Sequence, residues 1–310
     1  MEKKKFRLVT RSDFDGLVCA VLLNHLDMLD EILFVHPKDM QDGKIQIGER
    51  DITTSLPYVS GAYLAFDHHL SETLRNSGAP ANHIIDPQAP SAARMVYRYF
   101  GGSRAFPAAW SGMMAAVNKT DTAQITLEDI ISPTGWVLLR YQMDARTGLG
   151  RFQDFRISNY MLMMSLVDYC KDHTFAELMG LPDVKERANL YFDHESKFKE
   201  QILRCSKVYG NLVVLDLRGE EIIYAGNRFV IYALFPQCNI SIHVFWGMKQ
   251  QNTVFAVGKS ILNRSSNTNV GELMLQYAGG GHENAGTCQM ENKNAEAVLQ
   301  ELLIKIMADG

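Results

Sequence analysis

Two carboxylates stand one residue apart in Arg11-Ser12-Asp13-Phe14-Asp15-Gly16, a spacing that concentrates negative charge unless a cation or several hydrogen-bond donors sit between them. A bound metal is one resolution. The other is a helix start, with one Asp capping the first turn and the second stabilised by the helix dipole. Gly16 lets the chain turn closely beneath either arrangement. Asp67-His68-His69 follows an apolar run and offers a carboxylate and two imidazoles in succession. Such a trio can supply a metal ligand, an orienting partner and a proton donor, or be a solvated polar loop. Asp51 and Asp121 are further acids, each in isolation compatible with a cap or turn. Taken with Asp13, Asp15 and His68 they form an oxygen-rich set containing an imidazole, which suits Mn2+ or Mg2+ better than zinc.

A third group lies late in the chain, in Gly258-Lys259-Ser260-Ile261-Leu262-Asn263-Arg264 and Gly279-Gly280-Gly281-His282. Consecutive glycines in a turn expose backbone N–H groups that can cradle an anion. Arg264 offers a planar fork for a phosphate and His282 a charge-assisted donor. The glycine spacing required of a P-loop is absent before Lys259.

The elements that must carry these residues alternate. Phe6 to Thr10, Glu31 to Val35 and Ala62 to Phe66 read as buried strands, and a helix opens with Leu17 to Leu23 and runs to about Met28. Ser91 to Tyr99, Ala108 to Val117, Ser158 to Cys170 and Phe175 to Met179 read as helices. The pattern predicts an α/β fold, a mainly parallel sheet flanked by helices, over residues 1–181. In such sheets ligands gather at the carboxyl ends of strands, which is where Asp13, Asp15 and Asp67 to His69 would fall. Residues 182–207 are charged and helix-friendly and read as a linker helix. Residues 208–310 read as a smaller mixed-sheet α/β domain, with strands at Leu212 to Leu217, Phe229 to Phe235, Ile240 to Trp246 and Val254 to Val257. Helices follow at Val270 to Tyr277 and Asn294 to Met307, with the Gly279 to His282 turn between them.

The chain has 310 residues, of which 46% are hydrophobic and 21% charged, with a formal charge of −4. Such a composition supports a substantial core and argues against disorder, a coiled-coil rod, or a broad basic surface for long duplex nucleic acid. Five scattered cysteines without a C-x-x-C pair point to reduced thiols and a cytoplasmic setting. The basic N-terminus has no signal-peptide core, and no stretch reaches 18 apolar residues, so no membrane span is expected.

In order along the chain, Asp13-x-Asp15-Gly16, Asp51, Asp67-His68-His69, Asp121 and the late Gly279-Gly-Gly-His282 resemble the DHH phosphoesterase superfamily. The resemblance is to the branch in which a DHH domain is joined to a DHH-associated C-terminal domain, and it covers nearly the whole chain. It implies a DHH catalytic domain over residues 1–181 and a substrate-binding domain over 208–310, with a two-metal centre between them, usually Mn2+ with Mg2+ as the alternative. By that resemblance Asp13, Asp15, Asp51, His68 and Asp121 are metal ligands, and Asp67, His68 and His69 catalytic. Arg11, Ser260, Asn263, Arg264, Gly279, Gly280, Gly281 and His282 contact the substrate phosphate, with Lys259, Asn267 and Asn269 nearby. One departure stands out. Many relatives carry a ligating histidine where this chain has Arg11, and a guanidinium cannot ligate a cation. It either weakens one metal position or has become a phosphate contact, with His36 a substitute ligand or an ordinary strand-end histidine.

The implied activity is metal-dependent hydrolysis of a small phosphorylated substrate such as a linear or cyclic dinucleotide, with a homodimer allowed. The alternatives are an exopolyphosphatase or pyrophosphatase, and a nucleotide sensor without catalysis. Phe14 and Tyr277 are the aromatic candidates for stacking on a base, set against an ordinary place in the core.

Overall fold

The computed structural model describes residues 4–69, 72–73, 78, 80–152 and 155–310. Five strands, β1 (Phe6–Arg11), β2 (Leu29–Val35), β3 (Asp51–Thr54), β4 (Leu64–Asp67) and β5 (His83–Ile85), form a wholly parallel sheet in the order β2-β1-β3-β4-β5. β3 and β4 are buried along their whole length, as parallel strands covered on both faces must be. Two strands escape the sequence pattern. β5 has three residues, and β3 reads Asp-Ile-Thr-Thr, whose polar but β-branched threonines suit a strand without marking an apolar run.

Helix α1 (Phe14–His25) is buried all round, with Leu17 to Leu23 fully inaccessible, so it lies inside the unit and not on its surface. It is the centre of an apolar cluster with β1 and β4. The others there are α2 (Pro37–Gln41), α3 (Ala92–Tyr99), α4 (Ser111–Asp121), α6 (Gly135–Met143), α7 (Asn159–Asp172) and α8 (Phe175–Gly180), of which all but α2 contribute side chains to that cluster, whereas α5 (Leu127–Ile131) packs through Ile130 in a cluster with Val213 and Leu215. A long helix, α9 (Pro182–Cys205), follows. Near its start Arg187 is fully buried. Its guanidinium donates to Asp183 O at 2.8 Å, Ile157 O at 2.7 Å and Asn159 Oδ1 at 3.2 Å, and its charge lies over the Phe155 ring.

A second sheet has six strands in the order β10-β11-β9-β8-β7-β6: β6 (Ser206–Tyr209), β7 (Leu212–Asp216), β8 (Ile240–Trp246), β9 (Thr253–Lys259), β10 (Gly280–His282) and β11 (Ala285–Met290). Only β7 and β8 are parallel, so the sheet is mixed. Ile240, Ile242 and Val244 face the helices α11 (Val270–Leu275) and α12 (Ala295–Asp309), while Val213 and Leu215 pack with α10 (Val230–Leu234) in a separate cluster. The run Phe229 to Phe235, rich in β-branched and aromatic residues, is therefore helical and not a strand. Asn227 Oδ1 accepts from Phe229 N and starts the turn, and burial of Val230, Ile231 and Tyr232 outweighs local strand propensity.

Backbone contacts divide the chain into two compact units. One comprises residues up to Gln124, Thr134–Ala145 and Gly150–Asn189; the other comprises Ile125–Pro133, Arg146–Leu149 and Leu190–Gly310. The fold is α/β in both, and no described helix is long and apolar enough to cross a membrane.

Candidate metal centre

The site grows from the carboxyl edge of the parallel sheet. β1 ends at Arg11 and the chain turns into α1, with Asp13 as its N-cap: Oδ1 accepts from Gly16 N at 3.0 Å, while Arg11 Nε pairs with Oδ2 at 2.8 Å. A side chain at Gly16 would place its Cβ 2.0 Å from Arg11 O, so only glycine permits this turn. Asp15 points into the unit and is 2% exposed. Its two oxygens accept from Ala92 N at 3.1 Å and Ala93 N at 2.9 Å, the first turn of α3, whose orphan N–H groups favour a carboxylate. Burial, then repulsion from Asp121 and Asp13, nevertheless pushes the Asp15 carboxyl up to about 7. Donors hold this group in place without neutralising the charge gathered around it.

β4 ends at Asp67, which is 1% exposed. Its Oδ1 accepts from His68 N at 2.8 Å and His69 N at 3.2 Å and lies 2.6 Å from His69 Nδ1. A carboxylate can only accept, so His69 carries its proton on Nδ1 and leaves Nε2 for other chemistry. His68 Nε2 lies 2.9 Å from Oδ2 of Asp121, the last residue of α4. The approach is short but misaligned, and Nε2 has no hydrogen bond, nor has the buried Oδ2 of Asp67. Burial draws the His68 pKa down, but the contact with Asp121 and the charges of Asp121, Asp15 and Asp67 raise it to about 9. Ligand atoms of Asp15, His68 and Asp121 all lie within 4.8 Å of one another, and so do those of Asp67, His68 and His69. Buried nitrogen and oxygen atoms without hydrogen bonds, converging with two carboxylates, are the chemistry a hard divalent cation would satisfy.

Asp51 is not part of this set. It begins β3 beside Arg7, at the amino edge of the sheet, and three residues of strand, about 10 Å, separate it from the carboxyl edge. Its oxygens are taken by Arg7 Nε at 2.8 Å, Arg7 Nη2 at 2.9 Å and Gly48 N at 2.7 Å. The expectation that Asp51 ligates a metal is corrected: so short a strand is not legible in the sequence, and the residue stands at its amino end, away from the site. At the carboxyl end of β3 stands Thr54, its hydroxyl 2.6 Å from that of Thr10. Asp51→Asn should lower stability in urea unfolding by about 1–3 kcal/mol, the cost of a weakened hydrogen bond to a charged group, and leave divalent-metal affinity unchanged.

His36 is the N-cap of α2, its Nδ1 accepting from Lys38 N at 3.1 Å, so it serves the helix and not the site. Phe14 is a core residue stacked near Trp136, and Tyr277 is tied through its hydroxyl to Glu301 and Lys305. Residue types alone could not show the backbone donors Ala92 and Ala93. The available signal was Ser91 as the N-cap of α3; its hydroxyl accepts from Arg94 N and contacts Asn118 of α4, joining the helices that hold Asp15 and Asp121.

In the second unit, Gly279 to His282 is not an open turn, since Gly280 to His282 pair with β11 as a strand. A Cβ at Gly279 would lie 2.3 Å from Thr287 O and one at Gly281 2.4 Å from Ala285 O, whereas Gly280 faces open space. Packing thus accounts for two of the three glycines. Ser260 is buried, its hydroxyl accepting from Leu262 N and Asn263 N, and Asn263 Oδ1 accepts from Ser265. These residues shape the loop bearing Arg264, which is exposed, as is His282. Lys259 lies 3.6 Å from Glu283, Asn269 caps α11 and Asn267 donates to Asp309 O.

No family model matches the chain. Among curated proteins it is similar to the A-adding tRNA nucleotidyltransferase of Aquifex aeolicus, 26% identical over 111 residues, and spans only 13% of that protein and 34% of its own length in the match. Among solved structures it resembles RecJ of Thermus thermophilus in complex with Mn2+, with a TM-score of 0.55 and 14% identity over 98% of this chain and 52% of that one, a likeness of fold. It is also similar to the pGpG-specific phosphodiesterase PggH of Vibrio cholerae, with a TM-score of 0.89 and 60% identity over 99% of this chain and all of that one. On that end-to-end likeness, and with the Asp-x-Asp-Gly and Asp-His-His loops at the same edge of one sheet, the chain belongs to the DHH phosphoesterase superfamily, in the branch with a DHH-associated C-terminal domain.

Proposed function

We propose that this chain is a divalent-metal-dependent phosphodiesterase that hydrolyses short nucleotides, with pGpG as the leading substrate. The observation that carries the reading is the 60% identity to PggH along both chains. Asp15, His68 and Asp121 would hold the cation, and Mn2+ is the ion proposed first. When bound there, it supplies charge to the phosphoryl oxygens and lowers the pKa of a water.

The chain's own residues do the rest. Ala92 and Ala93 fix Asp15. Asp67 fixes the loop that carries both following imidazoles through their backbone N–H groups and accepts a hydrogen bond from Nδ1 of His69. That hydrogen bond is the main cause of the raised His69 pKa, and His69 is assigned as the proton donor to the departing ribose oxygen. Arg11 is assigned to the substrate phosphate. Within the second unit the proposed phosphate contacts are Arg264, His282 and the backbone at Gly280, with Ser260 and Asn263 shaping the loop.

A panel of pGpG, other linear dinucleotides, cyclic dinucleotides, a nucleoside bisphosphate and polyphosphate, each with Mn2+ or Mg2+, tests the proposal. Release of mononucleotides should be fastest from a linear dinucleotide and absent with chelator. Preferential phosphate release from polyphosphate would replace the reading with a phosphoanhydride hydrolase. Nucleotide binding without turnover would replace it with a sensor.

A further inference from the structure

The family's usual centre has two metals, and here the residues that would furnish two places differ in kind. Asp15, His68 and Asp121 bring ligand atoms within 4.8 Å of one another, and His68 Nε2 lacks a hydrogen-bond partner. Beside them Asp67, 1% exposed, carries a second oxygen without a partner, a buried group that is costly unless a cation or donor reaches it. The place of a second ion is differently furnished. Asp13, unlike Asp15, which meets only neutral N–H groups, already carries a fixed cation, the Arg11 guanidinium, on one oxygen, with Gly16 N on the other. Asp51 lies at the opposite sheet edge. The carboxyl end of β3 offers the Thr54 hydroxyl, already in contact with Thr10, in place of a carboxylate. The trio Asp67, His68 and His69 shares His68 with the first set, so the two groups are not independent places, and one of its Asp67 oxygens already accepts from His68 N, His69 N and His69 Nδ1.

We infer that the centre binds a single divalent ion, at Asp15, His68 and Asp121, and that the guanidinium of Arg11, held on Asp13, supplies the second positive charge for the substrate phosphate. Arginine suits that role because it stays charged and presents a planar fork to phosphate oxygens. The inference rests on the metal reading proposed above and deepens it.

The decisive experiment is equilibrium dialysis of the chelator-treated full chain against MnCl2, with bound metal counted per chain and the Mn2+ electron paramagnetic resonance spectrum recorded. One ion with an uncoupled spectrum is expected, and Asp121→Asn should lose it. Arg11→Met should still bind one ion and lose about 10- to 100-fold in kcat/KM on whichever member of the substrate panel is turned over, the scale of a hydrogen bond to a charged group. Two ions per wild-type chain, a spin-coupled pair, no tight ion, or an Arg11→Met enzyme of unchanged kcat/KM would each overturn the inference. A failure of the dinucleotide reading shows separately, as a changed substrate preference with the ion count still at one.

Discussion

Asp121→Asn is expected to reduce kcat/KM on short dinucleotides by at least about 10³-fold, the scale on which a group stabilising developing charge counts, while the far-UV circular dichroism spectrum stays as in the wild type. The side chain lies at the end of α4 and approaches His68 Nε2, so the substitution removes charge without opening a cavity. Asp15 is a poorer choice for this experiment. Its oxygens each accept a backbone N–H from α3, and an asparagine there would oppose one of them with its own NH2 group, mixing loss of fold with loss of chemistry. In Asp121→Asn the repulsion that raises the Asp15 pKa is reduced, so Asp15 ionises at lower pH even as the cation site fails. A variant with intact structure and near-wild-type turnover would remove Asp121 from the centre and with it the ligand trio.

The second large effect is on stability. Arg187→Met should cost about 3–5 kcal/mol, read as the urea midpoint of the full chain at unchanged slope. Methionine fills part of the space but donates nothing, so Asp183 O, Ile157 O and Asn159 Oδ1 lose their donors together. Arg187→Lys should recover little, because a single ammonium cannot span partners on both sides of a planar fork. A change below about 1 kcal/mol, the scale of an exposed ion pair, would mean that water replaces these donors and that the site is not sealed.

What can be read from the residues follows from how strongly each signal is written in one stretch of chain. The Asp-x-Asp-Gly turn after β1 and the Asp-His-His end of β4 are legible because an apolar strand and a chemically unusual loop adjoin in sequence, and the parallel architecture then brings the two loops to one edge. Asp51 enters the ligand set through the resemblance alone, and a four-residue strand gives no period to count, so the sequence does not show that the residue stands at the amino edge of the sheet. Phe229 to Phe235 reads as a strand because its propensity is for strand, whereas the packing of Tyr232 and its neighbours is a property of the folded unit. The backbone donors of Ala92 and Ala93 are not legible, since a main-chain N–H is present in every residue except proline and acquires meaning only by position.

The three ligands of the proposed centre are not mounted alike. Asp15 springs from the most deeply buried helix of its unit and is clamped by another, His68 hangs from the end of a central strand, and Asp121 stands on the last residue of α4, partly open to solvent. An ion held in this way has an anchor and a gate. Exchange with bulk solvent should begin by release of Asp121, so the residence time of the ion would be governed by fraying of one helix end, and the geometry at Asp15 would survive its departure.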